Sequence, residues 1–210
     1  MTTPPDDTAD AVRTGVAGAG EGKTVTASNL AVVMAQLGRK VLLIDGDLRK
    51  PRLHSVFNVS NQSGLVHLLT GGADLEGVLQ RTAVSNLWVI PSGPIPPNPS
   101  ELLASSHMTD LLQEAESRFD LILFDTPPAL AVTDATLVGA LADGVILCLR
   151  SGRVQREDAR ACRDRLQRAD VKVLGAVLNA FRRQPGRYSK DHYYYEAYAA
   201  TLEDSHGDAA

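Results

Sequence analysis

A chain of 210 residues with 44% hydrophobic content fits one domain of ordinary size, large enough to bury a single core without staples. Twenty-one lysines and arginines against 25 aspartates and glutamates leave a net charge of −4, which argues against the nucleic-acid backbone as the main partner while allowing a local basic patch. Two cysteines, Cys148 and Cys162, exclude a disulfide scaffold or a four-ligand zinc site and point to a reducing, cytoplasmic compartment. No apolar stretch reaches the roughly 18 residues that span a bilayer, and the polar, acidic start reads as a disordered segment over 1–9; any membrane role is expected to come through a partner.

Residues 10–16 hold few apolar side chains and place Arg13 and Thr14 where a central strand should be greasy. Next comes GAGEGKT, from Gly18 to Thr24, leading straight into a predicted helix over 24–37 in which Ala27, Leu30, Ala31, Met34 and Leu37 recur at helical spacing before a capping Gly38. This is a P-loop pattern. Its small residues let backbone N–H groups and the helix N-terminus face a polyphosphate, Lys23 reaches the β and γ oxygens, and Thr24 would hold magnesium. The strict pattern wants glycine at 17, where this chain has Ala17.

Short apolar runs over 41–44, 87–90, 121–124, 145–149 and 173–178 alternate with longer helical segments, including 100–116 opened by an N-cap at Ser100 and 153–169 with charges at i, i+4 spacing. That rhythm predicts an α/β fold, a mostly parallel sheet flanked by helices on both faces. The run before Asp45 delivers Asp45 and Asp47 to a strand's carboxyl end, where ligands of open α/β sheets bind. A second strand ends in Asp125, an acid of the kind that holds metal-bound water in P-loop enzymes. The proline-rich stretch 91–99 predicts an extended surface loop. From Phe181 onward periodicity fades, and all five tyrosines lie between Tyr188 and Tyr198. The five histidines show no paired metal-ligand spacing, and Trp88 reads as core.

Taken together, GEGKT, VLLIDGDLRKP up to Pro51 with His54 and Phe57 after it, PSGPIPPNPSELL up to Leu103, and FDTPP followed by Asp134 resemble the bacterial tyrosine kinases of capsule and exopolysaccharide synthesis, a family built on a deviant P-loop NTPase fold like that of partition ATPases. The resemblance covers residues 18–179. It implies Mg-ATP-dependent autophosphorylation of the C-terminal tyrosine cluster, with Lys23, Asp45, Asp47 and Asp125 as catalytic residues. Gly20, Glu21, Gly22, Lys23, Thr24, Val25, Arg150 and Asn179 would bind the nucleotide, Asn179 on the adenine side. Thr24, Asp45 and Asp125 would hold Mg²⁺, and Tyr188, Tyr193, Tyr194, Tyr195 and Tyr198 would accept phosphate. The expected organisation is a kinase domain over 10–180 and a tyrosine-rich tail over 181–210. A membrane adaptor of the polysaccharide co-polymerase type is expected to recruit the chain to the inner face of the membrane and supply an activating segment, and the tail to link copies into a homo-oligomer.

One departure accompanies the match. The family carries a helix for ring assembly ahead of the strand that precedes the loop, and residues 9–14 echo it only faintly, so helix and first strand are expected to be merged or lost. An impaired nucleotide-binding scaffold is then one rival. The other is a switch ATPase resembling septum-site and partition proteins, which carry an extra lysine near position 18, where this chain has Gly18.

Overall fold

The computed structural model describes residues 10–16 and 20–181, with the backbone alone over 10–16. Seven strands, β1 (Asp10–Val16), β2 (Val41–Asp45), β3 (Gln80–Arg81), β4 (Leu87–Ile90), β5 (Leu121–Pro128), β6 (Gly144–Arg150) and β7 (Val173–Asn179), form one sheet in the order β3-β4-β2-β5-β1-β6-β7. Only the β3–β4 pair is antiparallel. Among the described residues eight helices accompany them: α1 (Lys23–Gln36), α2 (Leu53–Phe57), α3 (Leu65–Leu69), α4 (Leu75–Val78), α5 (Pro99–Leu103), α6 (Ser106–Glu116), α7 (Asp134–Ala140) and α8 (Arg156–Arg168).

Continuous apolar runs become inner strands because both faces are covered. Along β2 and β5 the alternation sends Leu42, Ile44, Ile122 and Phe124 into a layer with α3, α4 and α6. Val41, Leu43, Leu121 and Leu123 turn the other way, against Ala27, Ala31 and Ala35 of α1. The small alanine side of α1 lets that helix lie close on the sheet. A third cluster joins Val145 and Leu147 of β6 to Ala135 of α7 and to Cys162 and Leu166 of α8. Trp88 is half-buried rather than central, packed edge-on against Phe119 with ring centroids 5.4 Å apart.

Three expectations are corrected. Residues 10–16 are neither merged with a helix nor lost: β1 lies inside the sheet, parallel to β5 on one side and β6 on the other. The ladder's demand for backbone partners is indifferent to side chains, and without β1 both neighbours would carry unpaired groups inside the sheet. The helix expected over 100–116 is two helices, broken where the Ser105 hydroxyl donates to the Leu102 carbonyl at 2.7 Å; Asn98, not Ser100, stands at the first N-cap. The proline stretch is only in part the surface loop expected: Pro94, Ile95, Pro97 and Asn98 are exposed, but Pro91, Ser92, Gly93, Pro96 and Pro99 are buried, and the carbonyls of Pro91 and Ser92 accept from the first amides of α3, Leu65 at 2.8 Å and Val66 at 2.9 Å. Among the described residues no helix is long and apolar enough to cross a membrane.

That last junction admits no side chain at Gly64, where a Cβ would lie 2.1 Å from the Pro91 carbonyl oxygen and 2.5 Å from the Gly93 nitrogen. Gly64→Ala is therefore expected to lower stability by about 1–3 kcal/mol in urea denaturation, with an unchanged far-UV spectrum. An unaltered midpoint would contradict the packing.

Candidate functional site

The chain leaves β1 in one direction toward β2 and reaches β6 on the other side of it, so the carboxyl ends of β1, β2, β5 and β6 surround a topological switch point. α1 starts there. Gly22 at its N-cap adopts the left-handed φ of 91°, no side chain caps the helix, and no acid sits in its first turn, which leaves the first amides facing outward for an anion. Gly22 also has no room for a Cβ, which would meet Asn179 Nδ2 at 2.6 Å. Lys23 is 8% exposed.

Two side chains hold the loop carbonyls. Asn179, the last residue of β7, donates from Nδ2 to the Glu21 carbonyl at 2.9 Å and to Thr26 Oγ1 at 3.1 Å. Arg150, the last of β6, donates from Nη1 to the Gly20 carbonyl at 3.1 Å. With these carbonyls held by the strand ends, the neighbouring amides stay turned toward the loop's interior. Both residues expected to contact nucleotide thus brace the loop. Val25 is mostly exposed, and Glu21, inside the loop, is buried with Oε2 lacking a hydrogen-bond partner among the described residues.

The acids converge because β2 and β5 run in register, pairing Asp45 with Asp125, while the Gly46 amide donates to the Asp125 carbonyl at 2.8 Å. Asp125 accepts the Thr24 hydroxyl on Oδ2 at 2.5 Å. Asp45 accepts the Arg52 and Leu53 amides on Oδ2, at 3.0 and 2.9 Å, tethering the start of α2. In each carboxylate the buried Oδ1 lacks a partner among the described residues. Burial pushes the Asp45 carboxyl up to about 7, against the pull of the Leu53 amide, with the Asp125 charge adding to the rise. Burial likewise lifts Asp125 to about 6 despite the Thr24 hydroxyl and the Lys23 ammonium. Asp47 is half-buried and accepts the Arg49 and Lys50 amides on Oδ1, at 3.3 and 3.0 Å.

Two orphaned carboxylate oxygens beside a threonine hydroxyl and a helix N-terminus fit a hard cation shared with a polyphosphate. Among the described residues no three of His, Cys, Asp and Glu converge as a metal cage. Mg²⁺ needs no such cage, since it keeps several waters and takes one or two carboxylates plus substrate phosphates.

One network went unassigned in the sequence. Arg49 donates to both oxygens of buried Asp134, from Nε at 2.8 Å and Nη2 at 3.1 Å, and Ser100 Oγ donates to the same carboxylate at 2.6 Å. Burial would raise the Asp134 carboxyl, but the Arg49 and Ser100 hydrogen bonds and the Arg49 charge hold it below the ordinary value. This clamp joins the loop after β2 to the starts of α5 and α7 and so fixes the turn that carries Asp47. Arg49 and Asp134 are 85 positions apart, and no spacing links them; their membership of the motif stretches was the only signal. The tyrosines at 188–198 lie outside the described residues.

Residues 17–159 match the family described as an AAA domain. Over 175 residues the chain is 46% identical to tyrosine-protein kinase YwqD of Bacillus subtilis, covering 83% of this chain and 73% of that protein. The kinase domain of Escherichia coli tyrosine kinase ETK superposes with a TM-score of 0.82 at 40% identity, over 86% of this chain and 71% of that one. The septum site-determining protein MinD of Pyrococcus horikoshii, solved with Mg-ADP, gives a TM-score of 0.71 at 25% identity, over 88% and 75%. The expected P-loop nucleotide-binding fold is thereby borne out.

Because the folded chain holds Asp45 and Asp125 above the ordinary 3.8, the metal-free native state binds more protons than the unfolded one. Their contribution to stability is fully present below about pH 4 and is lost as pH rises through 6 to 7. Asp45→Asn is expected to flatten that decline between pH 4 and 7 in urea melts without added metal. Parallel curves for the two proteins would contradict it.

Proposed function

The chain belongs to the bacterial tyrosine-protein kinase family, and from that premise we propose that it transfers the γ-phosphoryl group of ATP to tyrosines of its own C-terminal block, Tyr188, Tyr193, Tyr194, Tyr195 and Tyr198. The observation that carries this reading is the meeting of Lys23, Thr24 and the paired Asp45 and Asp125 at the head of α1, with Thr24 Oγ1 bonded to Asp125 at 2.5 Å. Lys23 and the first α1 amides neutralise charge on the transferring phosphoryl, so catalysis is chiefly positioning and electrostatics. Thr24, Asp45 and Asp125 are the residues that would hold Mg²⁺, which when bound offsets charge on the β and γ oxygens. A free phenol has a pKa of about 10 and must lose its proton during transfer. Asp47 suits that role better than Asp45, because Asp45 is fully buried and tied to the Arg52 and Leu53 amides. Gly20, Glu21, Gly22, Val25, Arg150 and Asn179 shape or line the nucleotide site.

The wider setting is part of the same proposal: a kinase domain over 10–180, a tail over 181–210, a cytoplasmic location, recruitment by a membrane adaptor of a polysaccharide export pathway, and copies linked by tails reaching neighbouring active sites. A switch ATPase of the MinD kind is less well supported, because the kinase YwqD is the nearer relative in sequence, 46% against 25% identity, and Gly18 stands where such ATPases carry a lysine.

Incubation of the purified chain with Mg-ATP and an activating adaptor segment, followed by intact mass and phosphotyrosine mapping, tests the reading. Phosphate is expected on residues between Tyr188 and Tyr198, and Lys23→Met is expected to abolish it while leaving the circular dichroism spectrum intact. ADP formed with free phosphate and no phosphotyrosine would move the chain to the switch ATPases.

A further inference from the structure

α8 carries its charges unevenly. Cys162 and Leu166 are its buried side, whereas Arg156, Arg160 and Arg163, at i, i+4 and i+7, lie along one exposed side. The ion pairs of the described residues include Arg163 with Asp164 but not Arg153, Arg156 or Arg160. This side leads to the phosphate loop: Arg153, just before α8, brings its guanidinium to within 3.2 Å of a Cβ built on Gly20, and Arg150 holds the Gly20 carbonyl.

The segment of the chain that complements this charge is its own C-terminus. Residues 191–210 contain Asp191, Glu196, Glu203, Asp204 and Asp208 and no lysine or arginine. From Tyr194 to Asp204 an extended chain spans about 35 Å, more than the roughly 20 Å length of α8. A tail whose acids lie along the helix therefore still brings its tyrosines to the loop.

We propose that the Arg156–Arg160–Arg163 side of α8 is the docking surface for the acidic segment 191–210 of a neighbouring copy of this chain, seating that copy's tyrosine block at the phosphate loop. The proposal rests on the kinase reading above for its purpose, though the docking itself needs no phosphoryl transfer. Each phosphate added to a tyrosine brings about −1.5 to −2 charges, so a phosphorylated tail holds the same surface more tightly and competes with an unmodified one.

The test uses the full chain with a photo-reactive phenylalanine analogue in place of Leu202, beside Glu203 and Asp204, and maps cross-links by mass spectrometry, in the Lys23→Met background so that docking is read without turnover. Adducts are expected on residues 153–168 at low salt and are expected to vanish with the triple change R156E, R160E and R163E. They should return when Glu203, Asp204 and Asp208 are changed to lysine in the same chain. In the active background the triple change is expected to slow tail phosphorylation about tenfold, the size that a few exposed ion pairs give together, with the KM for ATP unchanged. Cross-links confined to other elements, adducts insensitive to the charge changes, or an unchanged rate of tail phosphorylation would overturn the docking while leaving the kinase reading intact. Binding to phosphatidylglycerol vesicles that is lost on charge reversal, with cross-links unaffected, would also overturn it and assign this side to a membrane surface. A wild-type chain that docks its tail on α8 yet forms no phosphotyrosine would instead sink the kinase reading alone.

Discussion

Two carboxylates side by side inside a parallel sheet are an unfavourable arrangement, and the site is organised around making it tolerable. Asp45, the last residue of β2, and Asp125, three residues before the end of β5, are register partners, buried, and each keeps one oxygen without a hydrogen bond among the described residues. Isolated buried charges of this kind are costly. The chain answers with donors on the other oxygens, the Thr24 hydroxyl for Asp125 and the Arg52 and Leu53 amides for Asp45, and with the Lys23 charge beside them. The remaining imbalance is negative and faces the head of a helix, which is where a cation shared with a polyphosphate offsets it.

The sheet supplies the geometry and the loops only complete it. β1 in the interior brings α1 to the switch point, β6 and β7 end in Arg150 and Asn179 that brace the phosphate loop, and the Arg49–Asp134–Ser100 clamp ties the turn after β2 to two other helices. Each functional side chain is thus within four residues of a strand or helix end. Rigid elements hold such constellations more tightly than long loops do.

Much of this was legible in the chain itself, for identifiable reasons. Inner strands covered on both faces leave uninterrupted apolar runs, so β2, β4, β5 and β6 were visible, as was β7, whose apolar run lies at the sheet edge with Leu174 and Leu178 exposed; a glycine-rich stretch feeding a helix has few alternatives to a phosphate loop. β1 was not visible, because its place is enforced by the backbone groups of β5 and β6 rather than by its own side chains. The proline-rich stretch looked exposed because prolines cannot donate, yet its first carbonyls, at Pro91 and Ser92, accept from α3 and hold that end in the interior. The Arg49–Asp134 clamp joins residues that only the tertiary fold brings together, and the bracing role of Asn179 depends on an approach to Gly22 that no pattern encodes.

The central claim is that the buried acid pair, held partly protonated in the metal-free chain, is the seat of a cation that arrives with the nucleotide. Calorimetric titration of ATP with and without Mg²⁺ at pH 6.5, in buffers of differing ionisation enthalpy, addresses it most directly. The account predicts tighter binding with Mg²⁺ and release of about one proton from the protein, reduced in Asp45→Asn. Equal affinity with and without Mg²⁺, and no proton release, would contradict it.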